Sequence, residues 1–205
     1  MITFFRRVLA FAPALVVAAC VTVAPHTLSQ ANIHDLRIVD VEISGVEVIR
    51  SWPAGEEAYA RSPGADPAVV PRLQTSLVSD FPPVQAFIAG ELKGIFKSEF
   101  DSQFRAIFAG QKPVRAFVHL KKFDVPSVAR RIFLGGPAVF DADIDLRDAR
   151  TGASVLFYSG DSSSKLLLGG MSAPIAAAIA GDQGRPVIQD YLTQYRNWLL
   201  RGAQS

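Results

Sequence analysis

The stretch "PVQAFIAGELKGIFKSEFDSQFRAIFAG", residues 83–110, decides the architecture. Val84, Phe87, Ile88, Leu92, Ile95, Phe96, Phe100, Phe104, Ile107 and Phe108 recur at spacings of three and four. Side chains at that spacing stack on one face of an α-helix. Glu91, Lys93, Lys97, Glu99, Asp101 and Arg105 fall largely between them. The pattern predicts one long amphipathic helix over 83–109, stopped at Gly110. Its phenylalanine stripe is expected to pack on a sheet.

On either side of the helix the period drops to two, the repeat of a half-buried strand. After it, Val114, Ala116, Val118 and Leu120 alternate with Arg115, Phe117, His119 and Lys121. Phe140, Ala142, Ile144 and Leu146 then alternate with Asp141, Asp143, Asp145 and Arg147. "DARTGA", residues 148–153, reads as a turn with Gly152 at the left-handed place, and Val155 to Ser159 returns as a fourth strand. Before the helix, Val39, Val41 and Ile43 alternate with Asp40, Glu42 and Ser44 within a strand over 36–49. Its phase flips after Gly45, which predicts a β-bulge there. From Pro186, Val187, Ile188, Tyr191, Leu192, Tyr195, Trp198 and Leu199 share one face of a closing helix. The order β-α-β-β-β-α predicts an α+β fold, a mainly antiparallel four-stranded sheet with two long helices on one face. The strands flanking the long helix are expected to be parallel.

Two stretches resist this periodicity. Residues 51–83 hold six of the thirteen prolines and read as a long loop, with one short helix at 66–78 capped by Asp66 and opened by Pro67. Residues 162–185 are mixed: a serine run, Leu166 to Leu168, Gly169 and Gly170, then "APIAAAIAG".

The N-terminus has the layout of a secretory leader. Arg6 and Arg7 precede a charge-free, apolar run from Val8 to Ala19, and small residues lead to Cys20, the only cysteine of the 205 residues. Val17-Ala18-Ala19-Cys20 resembles the lipobox of bacterial lipoproteins, which implies cleavage before Cys20 and lipidation of its thiol. Residues 1–19 are then a signal peptide, 20–35 a lipidated tether and 36–205 one periplasmic α+β domain with a proline-rich loop at 51–83. Acyl chains hold a protein on a bilayer at about 0.8 kcal/mol per buried CH₂. The polar stretch from Val21 to Ile33 would reach some 40 Å if extended at about 3.1 Å per residue. Val21 after the cysteine, by analogy with enterobacterial sorting, favours the outer membrane over the inner. The competing reading of the leader is an uncleaved inner-membrane anchor, since Val8 to Ala24 spans about 17 residues, near the minimum for crossing a bilayer.

Arg6 and Arg7 also account for the net charge of +2; without them Lys/Arg and Asp/Glu balance. No basic field remains to argue for nucleic acid. A lone cysteine has no partner for an intrachain disulfide.

Catalytic candidates are few. "YSGDSSS", residues 158–164, carries a Gly-Asp-Ser that resembles the nucleophile block of the GDSL (SGNH) esterases, and makes a periplasmic serine hydrolase using Ser162 the alternative function. That family needs a later histidine, whereas His26, His34 and His119 all precede Ser162. Asp141, Asp143 and Asp145 alternate along one strand face and lack the glycine and closing glutamate of a calcium loop. His34-Asp35 and His119 have no nucleophile nearby in sequence, and no zinc spacing or phosphate-binding glycine motif occurs. No catalytic, cofactor-binding or metal residue is expected, and Cys20 is the one assigned site.

"RPVIQDYL", "DLRDARTGASV" and "KKFDVPSVARR" together make residues 36–200 similar to alphaproteobacterial envelope lipoproteins of unassigned function. "D-x-x-TG" hairpins also occur in lipoproteins with a TolB N-terminal-like or transport-auxiliary α/β domain. The resemblance implies a non-catalytic envelope module. Its partners would be the membrane, through Cys20, and another envelope protein met by the sheet edge, the 51–83 loop or the 169–184 segment.

Overall fold

The structure, a computed structural model, describes residues 24–73, 76–127, 130, 137–164 and 182–201, with residues 161–164 described by their backbone. Its elements are α1 (Gln30–Asp35), β1 (Leu36–Ser44), β2 (Ile49–Ser51), α2 (Pro53–Arg61), α3 (Pro82–Phe104), β3 (Lys112–Asp124), β4 (Ala138–Asp148), β5 (Ser154–Ser164) and α4 (Gly184–Arg201). The fold is α+β. The sheet is mixed and five-stranded, in the order β1-β3-β4-β5, with β2 also paired to β3. β1 and β3 run parallel, as the intervening helix requires, and β3-β4-β5 is an antiparallel meander.

The period-two residues fill the inner face. Val114, Ala116, Val118 and Leu120 of β3 and Ala142, Ile144 and Leu146 of β4 are all buried. α3 and α4 lie over them. The Tyr191 hydroxyl donates to the Ala142 carbonyl at 2.8 Å, which fixes α4 on β4. Glu99 of α3 ties the two helices, accepting from Arg185 and, at 3.0 Å, from Gln189. The phenylalanine stripe is core, as expected. Phe96, Phe100 and Phe104 stack along α3, and Phe104 meets Tyr195 of α4 at 5.1 Å between ring centres. α3 ends at Phe104 and a short turn carries the chain to Gly110. A Cβ at Gly110 would lie 2.2 Å from the Asp35 carbonyl, so only glycine lets these backbones approach.

Four expectations are corrected. The irregularity in the first strand is at Val39, not Gly45. The β1–β3 register slips between Ile38 and Asp40, which turns Val39 outward (49% exposed) and keeps Val41 inside. Gly45 (φ 76°) instead ends β1, and a 3-10 turn over Val46–Val48 leads to β2 on the same edge of β3. Two short strands therefore replace one long one, because a left-handed residue turns the chain out of the sheet.

The helix within 51–83 forms at Pro53–Arg61, not at 66–78. Asp66 caps only a turn, its Oδ1 accepting from Ala68 N–H at 2.8 Å. Pro71 then lacks the N–H that a continuing helix needs, and the chain makes a 3-10 turn over Val70–Arg72. β5 is longer than expected and carries the Gly-Asp-Ser run within the sheet. Finally, the expected tether is docked from Ala24 onward. Ser29 caps α1, Ile33 is fully buried, and Gln30 Nε2 donates to Leu200 O at 2.9 Å.

The sheet thus has two ends. One holds the starts of β1 and β3, the β4–β5 hairpin and the last turns of α3 and α4. The other holds β2, the end of β3, α2 and the first turn of α4. No described helix is long and apolar enough to cross a membrane.

Candidate functional site: a cleft at the α2 end

A cleft of about 1000 Å³ opens at the second end. Pro53, Glu56, Glu57 and Ala60 of α2 form one wall, Arg50 and Ser51 of β2 with Ser127 and Arg130 another, and Val70, Leu73, Ser76, Leu77 and Asp80 a third. Its size falls at the upper end of ordinary ligand pockets.

Trp52 anchors the walls. It is buried, its ring meets Phe123 edge-on at 5.6 Å, and its Nε1–H donates to Asp182 Oδ1 at 2.8 Å. Asp182 also accepts from Gly184 N–H at 2.8 Å, so one carboxylate joins the start of α4 to the start of α2. A Cβ on Gly55 or Gly184 would lie 2.7 or 2.6 Å from the indole, so both glycines make room for it. The strand alternation buries Ile49 and turns Arg50 outward. Ser51 O accepts from Val125 N–H at 2.8 Å and ties β2 to the chain leaving β3.

The carboxylates of the cleft are engaged within the protein. Glu56 Oε1 accepts from Trp52 N–H at 3.0 Å and lies 3.5 Å from Ser51 Oγ. Burial pushes its pKa up, and these two hydrogen bonds oppose that shift. Glu57 pairs with Arg61, and Asp80 Oδ2 accepts from Leu77 N–H at 3.1 Å. Arg130 reaches both oxygens of Asp124, at 3.3 and 3.4 Å. Arg50 is exposed and forms no ion pair among the described residues. Leu77, 45% exposed, is one of the few large apolar side chains at the described surface. The cleft therefore offers an available guanidinium beside an apolar wall.

The open face of the sheet gathers the residues that sequence reading weighed for chemistry. Ser44, His119, Asp143 and Ser159 stand in register across β1, β3, β4 and β5. Ser44 Oγ lies 3.3 Å from His119 Nδ1. Asp143 is held by Lys121 instead, whose Nζ lies 2.9 Å from both Asp141 and Asp143. Lys121 also donates to Ser159 at 3.2 Å. A lysine serves as base only when neutral. Burial would lower the Lys121 pKa, but the two carboxylates outweigh it and raise the pKa, which keeps the ammonium charged. Asp145 takes a separate partner, Arg147 at 2.6 Å, so the aspartate row is an ion-paired sheet face. His34 donates to Ile107 O at 3.1 Å and ties α1 to the end of α3. Among the described residues, no cluster of three or more His, Cys, Asp or Glu is placed to hold a metal.

Cys20 lies outside the described residues. Ser162 is placed by its backbone opposite Phe140, and its side chain lies outside them. The 51–83 loop supplies most of the cleft, but Arg50, Trp52 and Glu56 were not singled out by sequence reading. The one legible signal was the proline density after Ser51, which marks a segment with few backbone donors to spare for a sheet.

No family model matches the chain, and no curated protein matches it. Solved structures similar to it include a "putative lipoprotein" from Caulobacter crescentus, 14% identical, with a TM-score of 0.35 over 56% of this chain and 85% of that one. Another is a Xanthomonas campestris protein of the DUF330 family, 11% identical, with a TM-score of 0.39 over 90% of this chain and 93% of that one. At these scores the likeness carries no functional argument.

Proposed function

We propose that this chain is a lipid-anchored, periplasm-facing accessory protein of the bacterial cell envelope. Cys20 carries the lipid, the outer membrane is the anchoring site, and the cleft binds an extended segment of another envelope protein without catalysing a reaction. The leader supports the anchoring. The cleft supports the binding, and the observation that carries it is Arg50, an available cation beside Val70, Leu73 and exposed Leu77. A partner segment with apolar side chains and one carboxylate matches that surface. The apolar groups leave water, and the carboxylate forms a charge-assisted pair with the guanidinium.

A photo-crosslinking residue at position 77, in cells, tests the cleft. The expected result is one envelope-protein adduct at an acidic segment, absent when the probe sits at Thr151. Arg50→Glu should weaken it about tenfold, the equivalent of one charge-assisted contact of roughly 1.4 kcal/mol. Equal crosslinking from both positions, or indifference to Arg50→Glu, refutes the cleft. Intact-mass analysis of the mature N-terminus tests the anchor, with an acylated Cys20 expected. The competing hydrolase reading requires an esterase or peptidase activity that Ser162→Ala abolishes.

A further inference from the structure

The chain enters the fold at one end of the sheet and opens its cleft at the other. Trp198 Nε1–H donates to Ala24 O at 2.8 Å, and His26 Nε2 donates to Leu199 O at 2.8 Å. With the Gln30–Leu200 bond, they seat the entering chain on the last turn of α4. Between Cys20 and this seat lie only the residues up to Ala24. That much chain spans at most about 14 Å. The cleft lies beyond the other end of α4: from Trp198 back to Gly184, which packs on Trp52, the helix runs about 21 Å at roughly 1.5 Å per residue.

The end near the chain entry is basic. Arg37, Lys112, Arg150 and Arg201 are exposed there, and none forms an ion pair with a described carboxylate. Arg37 and Lys112 sit on neighbouring strands, with Leu36 opposite Lys112 and Arg37 opposite Pro113. Arg150 lies in the β4–β5 turn, whose Ala149 N–H donates to Pro113 O at 3.0 Å. Of the carboxylates nearby, Asp101 pairs with Arg105, while Asp148, which accepts from the N–H groups of Arg150 and Thr151 and stays ionised, offsets part of the Arg150 charge. Asp35 is exposed and offsets a second charge, so the four cations still outnumber Asp148 and Asp35.

We infer that this hairpin end is a membrane-facing surface whose cations meet anionic phospholipid headgroups, so that the molecule stands with its cleft directed away from its own bilayer. The inference rests on the reading of Cys20 as the lipid anchor. A short leash alone lets the domain lie on any side within reach. Cations grouped beside the leash select one orientation, because their attraction to an anionic leaflet is felt only within about a Debye length, roughly 8 Å. The cleft partner then approaches from the periplasm, and the anchoring leaflet does not compete for the site.

The test uses the full, acylated protein in vesicles of phosphatidylethanolamine and phosphatidylglycerol carrying a headgroup acceptor dye. Thr151→Cys and Leu77→Cys each supply one labelling site, since Cys20 is blocked by its lipid. Energy transfer to the bilayer should be severalfold greater from position 151 than from position 77. That contrast should shrink in phosphatidylcholine vesicles and in a Lys112→Glu/Arg150→Glu variant, while flotation persists. Equal transfer from the two positions, greater transfer from position 77, or a contrast indifferent to lipid charge and to the double variant overturns the orientation alone. Failure of the protein to float, with Cys20→Ser unchanged from it, overturns the anchor reading and the orientation with it.

Discussion

The two ends of the sheet are held by different forces. At the hairpin end, α3 and α4 close on each other through rings: Phe100, Phe104, Phe108 and Tyr195 form one connected stack. At the cleft end, isolated ring pairs such as Trp52–Phe123 and Tyr59–Phe87 are joined by single polar contacts: Trp52 to Asp182, Glu56 to Trp52, Arg130 to Asp124. Burial of rings is non-directional and collectively large. A polar tie is worth about 1 kcal/mol net and depends on geometry. The contrast makes the hairpin end a continuous aromatic stack, and makes the shape of the cleft end depend on single hydrogen bonds as well as on its buried rings.

The largest effect expected from breaking this contrast is at the hairpin end. Phe104→Ala should cost about 3–5 kcal/mol, since the side chain is buried between α4 and the sheet and leaves a cavity. Urea denaturation gives the value directly. A cost below that of an exposed substitution would mean that the stack does not hold this end.

Trp52→Phe keeps a ring against Phe123 but leaves Asp182 without the indole donor. The expected loss is about 1–2 kcal/mol, with crosslinking from position 77 reduced in parallel because the α2 wall shifts. If stability falls and crosslinking does not, the cleft geometry is independent of this tie.

The smallest effect is a pH-dependent one. The Glu56 pKa is raised in the fold above its ordinary value of 4.5 by burial. The unfolded chain therefore ionises it more readily, and the fold carries a penalty that is fully present above the folded pKa and absent below the unfolded one. Glu56→Gln keeps an acceptor for Trp52 N–H and removes the charge. Its Tm should exceed that of the parent slightly at neutral pH, and the gain should disappear as the pH falls below 4.5. A constant difference across that range would assign the effect to packing instead.

Much of the fold was readable because most of its elements repeat. Period-three-and-four spacing over 83–109 returned α3 with its buried face, and period-two spacing returned β3, β4 and the hairpin. The misreadings fell where a single residue outweighs a pattern. Val39 is apolar in the right phase yet faces out, because a register slip depends on β3 as well as on β1. Gly45 announced an irregularity, but its kind was set by contact: a Cβ there would lie 2.2 Å from Leu120 O, so chain approach demands glycine. The helix at Pro53–Arg61 escaped notice because two of its anchors, Asp182 and Phe123, are far away in sequence.

The sequence by itself determined the α+β class, the parallel crossover, the buried stripe of α3 and the expectation of a lipidated Cys20. Periodicity, handedness and local motif are properties of a chain read in order. Tertiary structure alone decided that residues 24–35 dock instead of trailing free, that Arg50 stands beside Leu77, and that the basic surface and the cleft occupy opposite ends. Those facts depend on distances between residues remote in sequence, such as Ala24 and Trp198 or Trp52 and Asp182, which only packing brings together.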